Sequence, residues 1–350
     1  MSGAPVPSGT GEAAGPCLVT GATGFIGGHL VARLLAERRE VRCLARASSD
    51  VSSLTTLGAP IVRGDLHDPG SLRGAVHGAR AIVHCAALVS DWASVAEIEA
   101  VNVTGTRNLL AAAAEAGVER FVQISSTDVY GHPGNAAVDE AALPAAGSRP
   151  IANWYAQSKL EAEHLLRAAA AQGRLAAVIL RPATVYGPGS TDVVGEIAEA
   201  IRAGHMLLID GGRANAGLCY VENLIDAIVL ALDRPLASPS AFNVTDGLTV
   251  SWREFTADLA AGLGCRPPRL SIPYPLAHAL ARAMEGGYRM LHGATGLSTP
   301  PLLSRQAVQV LGRNQDFSNE LARSTLGWQP RIAYEQGLAA TLDWLRGTAG

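Results

Sequence analysis

Over roughly the first 190 residues, short apolar runs alternate with helix-like stretches. The strand candidates are 17–20, 41–45, 60–63, 81–85, 120–125 and 176–181. Between them lie helix candidates at 27–39, 69–76, 95–116 and 153–171. Strand–helix alternation at this spacing predicts a parallel sheet with helices on both faces, because parallel neighbours need a crossover long enough to hold a helix. After Pro188 the pattern loosens: helices are expected at 193–203, 221–232, 252–262, 275–291, 304–311 and 332–346, and short strands at 207–209 and 241–244. The expected architecture is α/β, a doubly wound parallel sheet with a smaller, mostly helical C-terminal lobe. On this reading residues 16–186, with about 218–246, bind a dinucleotide. Residues 187–217 and 247–350 bind the substrate, and residues 1–15, small, polar and rich in Gly and Pro, form a disordered tail.

The first strand runs straight into Thr20-Gly21-Ala22-Thr23-Gly24-Phe25-Ile26-Gly27, which opens a helix. Three glycines in this context serve a tight turn, a close approach of backbone to a pyrophosphate, and packing of helix on strand. The helix N-terminus then offers unpaired N–H groups to the phosphates. The second strand ends in Leu44-Ala45-Arg46, with no acid to hold a ribose 2′-hydroxyl. An Arg there accommodates a 2′-phosphate, so NADP is favoured slightly over NAD. Asp65, after the third strand, either accepts from an adenine amino group or caps its own turn.

Lys159 is the only lysine among 28 Lys and Arg residues, and it lies four residues after Tyr155. On a helix these two share a face. An ammonium beside a phenol, aided by an oxidised nicotinamide, is expected to favour the phenolate and to make Tyr155 a proton-transfer group near neutral pH. Ser125-Ser126 ends a strand, where ligand sites of such sheets lie, and places a hydroxyl opposite that helix.

The remaining composition excludes other classes. A net charge of −3 gives no basic field for nucleic acid. No run of about 18 apolar residues predicts a membrane span. The start lacks the apolar stretch of a signal peptide. Five cysteines without metal spacing read as free thiols of a cytoplasmic protein, and no metal site is expected.

The strings TGATGFIGGHL (20–30), GDLHDP (64–69), HCAAL (84–88), NVTGTRNLL (102–110), ISSTDVYG (124–131), YAQSK (155–159) and LRPATVYGPG (180–189) resemble the extended short-chain dehydrogenases/reductases. YVENLIDAIVLAL (220–232) and FNVTDG (242–247) match as well. The likeness is to the NAD-dependent epimerase/dehydratase and 3β-hydroxysteroid dehydrogenase-like group, and spans residues 16–346. It implies a Rossmann-type domain in which Gly21, Thr23, Gly24, Phe25, Ile26, Gly27, Arg46, Asp65 and Leu66 bind the dinucleotide. Ala86 and Ala87 would pass under the nicotinamide ribose, and Pro182 and Val185 would line the nicotinamide. Asn102 would sit at a helix start, and Lys159 would hold the ribose hydroxyls. Ser126, Tyr155 and Lys159 match the catalytic set, with Ser126 rather than Ser125 as the hydroxyl. Helices 95–116 and 153–171 resemble those of a homodimer interface.

The resemblance implies an NAD(P)-dependent oxidoreductase interconverting a secondary alcohol and a ketone on a small, moderately apolar molecule. A nucleotide-sugar epimerase or dehydratase with tightly bound NAD is the second reading, and a catalytically silent dinucleotide-binding protein the third. The Arg that commonly clamps a nucleotide diphosphate is absent from Asn215 to Tyr220, although Arg213 is near. The stretch with Pro273, Leu276, Leu280 and Met284 is expected either to line an apolar substrate pocket or to be ordinary core.

Overall fold

The computed structural model describes residues 15–134, 137–143, 153–173, 175–295 and 303–348, so the expected tail, save Gly15, lies outside the described residues. The described strands are β1 (Cys17–Thr20), β2 (Val41–Ala45), β3 (Ile61–Arg63), β4 (Ala81–His84), β5 (Arg120–Ile124), β6 (Ala176–Pro182), β7 (Thr184–Tyr186), β8 (Leu207–Ile209), β9 (Leu218–Tyr220), β10 (Ser240–Val244) and β11 (Leu270–Ile272). Seven of them form one parallel sheet in the order β10-β6-β5-β4-β1-β2-β3. The chain walks outward from β1 to β3, then returns to place β4 on the other side of β1. That reversal opens a crevice at the carboxyl ends of β1 and β4. The remaining four strands pair as β8 with β11 and β7 with β9.

Successive residues of a strand face opposite sides, and each strand here is apolar on both. Val19, Val83, Val122 and Leu180 enter one core, where the helix Phe25–Ala36 packs against Val221–Asp233. Leu18, Ile82, Phe121 and Ile179 enter the other, under the helices Pro69–Val76, Gly105–Glu115 and Trp154–Ala171. All eight side chains are almost wholly buried, each worth roughly 1.5–3 kcal/mol relative to exposure. Both faces of the sheet are thereby covered, as the strand–helix alternation requires.

Two expected helices depart from regular geometry. The stretch expected to be one helix over 95–116 divides into a helix Val95–Ile98, a π-helical run Glu99–Thr104 and a helix Gly105–Glu115. Asn102 therefore lies inside the π-helical run and not at a helix start. The widened turn re-aims its side chain, a common use of π-bulges. Likewise 191–195 is π-helical before Glu196–Arg202 continues as α-helix.

The helix Trp154–Ala171 begins where Asn153 Oδ1 accepts from the Ala156 N–H (3.1 Å), an N-cap that satisfies one orphan donor. Its buried residues recur at Ala156, Lys159, Glu163, Leu166 and Ala170, the spacing of one helical face. In mid-face stands a charge. Glu163 takes two bonds from the Arg181 guanidinium (2.9 and 2.6 Å) and one from Ser125 Oγ (2.7 Å). Arg181 also donates to Tyr130 Oη (2.8 Å), which donates to Asn243 Oδ1 (2.7 Å). Glu163 and Arg181 are both fully buried. A buried pair is tolerated only when every lone pair and proton is used, and losing one partner strands the other charge. Glu163→Met should lower stability by about 3–5 kcal/mol in urea unfolding followed by circular dichroism, far more than Glu161→Gln on the exposed face.

A second tie crosses the sheet top. His29, on the helix that follows the glycine loop, faces acceptors on both ring nitrogens: Glu222 Oε1 from Nδ1 (2.6 Å) and the Pro188 carbonyl from Nε2 (2.8 Å). Only the imidazolium donates at both. Burial opposes the charge, but the Glu222 and Pro188 hydrogen bonds raise the His29 pKa above its usual value overall. Arg33, one turn on, pairs with Glu37 and Asp226 and leaves this site to His29. A raised folded pKa gives stability that is fully present below the unfolded pKa and is lost as pH rises through the folded one. The melting-temperature gap between wild type and His29→Gln should be widest near pH 6 and should narrow toward pH 9. A gap that widens with pH would contradict the assignment.

Candidate active site

The glycine loop sits at the β1/β4 reversal. Gly21 has φ of 68°, and a Cβ on it would fall 2.6 Å from the Ala86 nitrogen. A Cβ on Gly27 would fall 2.2 Å from the Gly21 carbonyl oxygen. Both positions are therefore restricted to glycine by backbone packing. The helix Phe25–Ala36 starts at Gly24 with no side-chain cap and no acid in its first turn. Its first N–H groups and dipole are left for an anion.

From this loop a cleft of about 290 Å³ runs along the sheet top. Its walls include the expected Gly21, Thr23, Gly24, Arg46, Asp65, Leu66, Ala86 and Ala87. The walls also include Ser49, His67 and Leu88, which the sequence reading missed. The residues present fit a dinucleotide: an uncapped helix end for the pyrophosphate, an apolar floor, and an exposed Arg46 with Ser49 at the end of β2. Asp65 caps its own turn, with Oδ1 accepting from the His67 N–H (2.9 Å), while also facing the cleft.

Other expected residues do not wall this cleft. Gly27 lies beneath the loop, and Phe25 stands against Gly189 of the 187–190 turn and against the His29 ring. Ile26 and Val185 pack against the core. Pro182 ends β6. Asn102 acts from behind: Oδ1 accepts from the Leu88 N–H (2.7 Å), and Nδ2 donates to the Leu88 carbonyl (3.1 Å) and Ser158 Oγ (2.9 Å). It straps the loop after β4 to the helix that carries Tyr155.

His84 adds a second strap. Thr106 Oγ1 donates to the Asn102 carbonyl (2.6 Å), so His84 Nε2 donates to Thr106 (3.0 Å) and His84 Nδ1 accepts from Thr20 Oγ1 (2.7 Å). Burial and Lys159 pull the His84 pKa down to about 3, and the ring is neutral.

Lys159 lies beside Tyr155 on the helix Trp154–Ala171 and reaches the end of β5, and Ser126 follows β5 two residues after Ile124. Ser125 Oγ is committed to Glu163 in the core. Ser126 caps the short turn Thr127–Tyr130 by accepting from the Asp128 N–H (3.1 Å), so its own proton remains to donate. Lys159 is buried, 6% exposed, with Nζ donating to the Ile124 carbonyl (2.8 Å) and lying 5.8 Å from the Tyr155 ring centre. Burial pulls its ammonium down to about 8, against the attraction of Glu163.

The expected shift toward phenolate rests on the charge of an oxidised nicotinamide as well as on Lys159. Burial, followed by the Asp128 carboxylate, pushes the Tyr155 phenol above its ordinary value. Low dielectric and a nearby anion both favour the neutral phenol.

Tyr155 lines a second cavity of about 40 Å³, bordered also by Asp91, Trp154, Glu285, Arg305 and Gln306. It is polar. The expected apolar wall is elsewhere: Leu276, Leu280 and Met284 are 51, 44 and 38% exposed on the outer face of the helix Tyr274–Thr295, and Pro273 is exposed too. The helix turns Glu285 and Ala281 inward instead. The sequence pattern alone does not say which of two apolar stripes faces the protein. Gln306 was missed because it lies 151 positions after Tyr155 in the chain and only the folded C-terminal segment brings it near.

Residues 17–245 match the family described as NAD dependent epimerase/dehydratase family. The chain is 33% identical to a 4-hydroxy-2-methyl-3-oxo-4-farnesyl-3,4-dihydroquinoline-1-oxide ketoreductase of Stigmatella aurantiaca, over 92% of this chain and 94% of that one. It is 31% identical to a 3 beta-hydroxysteroid dehydrogenase/Delta 5→4-isomerase of Mycobacterium tuberculosis, over 94% and 90%. Among solved structures, MoeE5 in complex with UDP-glucose and NAD superposes with a TM-score of 0.75 at 29% identity, over 96% of this chain and all of the other. A glycine loop at the strand reversal, a Tyr–Lys pair on the facing helix and these likenesses agree: the chain belongs to the NAD-dependent epimerase/dehydratase family of extended short-chain dehydrogenases/reductases.

Proposed function

We propose that the protein is an NAD(P)-dependent oxidoreductase that interconverts a secondary alcohol and a ketone on a small molecule. The observation that carries this reading is Tyr155 on the wall of the polar cavity with Lys159 beside it on the same helix, anchored on the Ile124 carbonyl. The likeness to a ketoreductase and a hydroxysteroid dehydrogenase supports it. The nucleotide-sugar reading is weaker, since no Arg stands from Asn215 to Tyr220 to hold a diphosphate.

In the reductive direction, Ser126 Oγ–H donates a hydrogen bond to the substrate carbonyl oxygen and orients it. Tyr155 gives its phenolic proton to that oxygen as negative charge develops there. Lys159, anchored on the Ile124 carbonyl, keeps a positive charge beside the tyrosinate that results. A nicotinamide bound in the cleft supplies the hydride to the carbonyl carbon. Solvent returns the proton to Tyr155. In the oxidative direction the tyrosinate takes the alcohol proton back. Asn102 holds Leu88 and Ser158 and so positions both walls of the site.

We assign the dinucleotide-binding part to residues 16–186 with about 218–246, supported by β10 joining the main sheet. Residues 187–217 and 247–350 complete the substrate side, through Glu285, Arg305 and Gln306. A homodimer through the helices that carry the exposed Val95 and Trp154 fits their surface. Five unpaired thiols favour a cytoplasmic setting. Among the described residues no helix is long and apolar enough to cross a membrane. NADP is favoured because Arg46 and Ser49, without an acid, stand at the end of β2.

Tyr155→Phe should lower kcat for ketone reduction by at least ~10²-fold, as loss of a general acid does, while NADPH binding by fluorescence stays within about threefold. Substantial turnover by this variant would remove Tyr155 from the role. Arg46→Asp should weaken NADPH binding by roughly 10-fold or more, the loss of one charge-assisted contact, with NADH binding little changed. Equal affinity of the wild type for both dinucleotides would defeat the NADP assignment.

A further inference from the structure

We propose that the outer face of the helix Tyr274–Thr295, with the segment leading into it, docks on the surface of an anionic lipid bilayer.

Contacts settle which way this helix is turned. Ala277 and Ala281 are buried beside Ile209 and Val308, Glu285 pairs with Arg305 (2.6 Å), and the Tyr288 ring meets Trp92 edge-on (5.1 Å between centres). A helix turns about 100° per residue, so these contacts also fix what points outward. Leu276, Leu280 and Met290 do, with the exposed Ala279 and Ala283 between them and Met284 at one flank. The one exposed charge along this face is Arg282, at the other flank. Met290 is 72% exposed, and Leu270, in β11 just before the helix, is 60% exposed. The solvent side of a surface helix is ordinarily polar. An apolar stripe about 20 Å long, flanked by basic groups, is the pattern of a helix lying in a membrane interface.

The charges around the stripe are of one sign. From Gly262 to Met290 the chain has four arginines and one acid, and that acid is the buried Glu285. Arg266, Arg269 and Arg282 are exposed. At the foot of the helix, the Arg313 guanidinium lies over the Tyr274 ring (4.6 Å). Arg253 donates to the Gly211 carbonyl (2.7 Å), Arg213 approaches the same glycine, and the Gly211 N–H donates to Ser271 of β11 (2.8 Å). None of these arginines forms an ion pair among the described residues, whereas Arg39, Arg80 and Arg346 elsewhere pair with Asp233, Glu119 and Asp343. Asp210, the acid at this foot, is half-buried and accepts from the Tyr274 N–H (2.9 Å).

That combination selects the occupant. Anionic head groups meet the arginines while acyl chains take the leucines and methionines. A second copy of the chain fits poorly, because a two-fold interface lays a patch on its own image and brings no exposed acid to answer the arginines. A nucleic acid would use the arginines and leave the aliphatic stripe in water.

The test mixes the full chain with vesicles of phosphatidylcholine alone or with about 30% phosphatidylglycerol, the anionic lipid, and reads the bound fraction by sedimentation. Binding to the anionic vesicles should be at least ~10-fold tighter than to the neutral ones and should weaken as salt is raised. The triple variant Leu276→Gln, Leu280→Gln, Met290→Gln should bind the anionic vesicles about tenfold or more weakly at unchanged charge. The triple variant Arg266→Gln, Arg269→Gln, Arg282→Gln should lose most of the preference for anionic lipid. All six positions are exposed, so both variants should melt near the wild type by circular dichroism. Should the first melt early, the arginine variant and the two vesicle types decide the question without it. Absence of binding, equal binding to both vesicle types, or binding unchanged in both variants would overturn the proposal. So would a wild-type dimer that the first variant dissociates in sedimentation velocity, or tighter binding to duplex DNA than to anionic vesicles, since each gives the face to another occupant. No dinucleotide or ketone enters the measurement, so its outcome is independent of the alcohol–ketone reading.

Discussion

The charge pair between Glu163 and Arg181 is the contact on which the site depends most. It lies wholly inside the protein, on the face of the helix Trp154–Ala171 that meets β5 and β6. Two desolvated charges are stable there only because Ser125, Tyr130 and Asn243 complete their hydrogen bonds. The pair fixes the height and rotation of the helix on the sheet. One turn earlier, Lys159 can then reach the Ile124 carbonyl, and one turn before that Tyr155 reaches the wall of the polar cavity. An apolar contact of equal volume would tolerate sliding; a two-pronged guanidinium–carboxylate contact does not.

Electrostatics around Tyr155 follow from the same burial. The ammonium beside it is weakened by desolvation, and the anion nearest it is Asp128, itself held by His132 and Gln306. Burial and Asp128 therefore hold the phenol's pKa above its ordinary value. That suits donation to a ketone oxygen, and it means that the oxidative direction depends on positive charge arriving with the dinucleotide. The glycine loop provides for that arrival through backbone alone. Its helix end is uncapped, and its glycines let strand, loop and helix approach to distances no side chain would allow.

The C-terminal segment supplies one wall of the polar cavity that Tyr155 lines. Gln315 accepts from His132 (3.1 Å), Ser304 donates to Asp91, and Val138 bridges to Phe317. These contacts bring a short helix, Arg305–Gly312, against the loop that follows Ser126. The polar cavity is thus assembled from distant parts of the chain: Tyr155 and its neighbours on one wall, Glu285, Arg305 and Gln306 on the other.

The parallel sheet, the glycine loop and the Tyr155–Lys159 pair were legible in the sequence because each is a local pattern: apolar runs at strand length, glycines at fixed offsets, two residues four apart on a helix. Of the two serines, the structure commits Ser125 to the buried Glu163, a contact that no local pattern announces. What depended on distant residues was not legible. No local signal says that a π-helical run would carry Asn102 into the interior, that Lys159 would turn to a carbonyl, or that the stripe Leu276, Leu280 and Met284 would be exposed. Nor does any pattern near Gln306 announce that its amide would be held by Asp128. Periodicity reports that a face is apolar, but only the packed tertiary structure decides what that face meets, and a pKa is set by burial and by charges brought close from far along the chain.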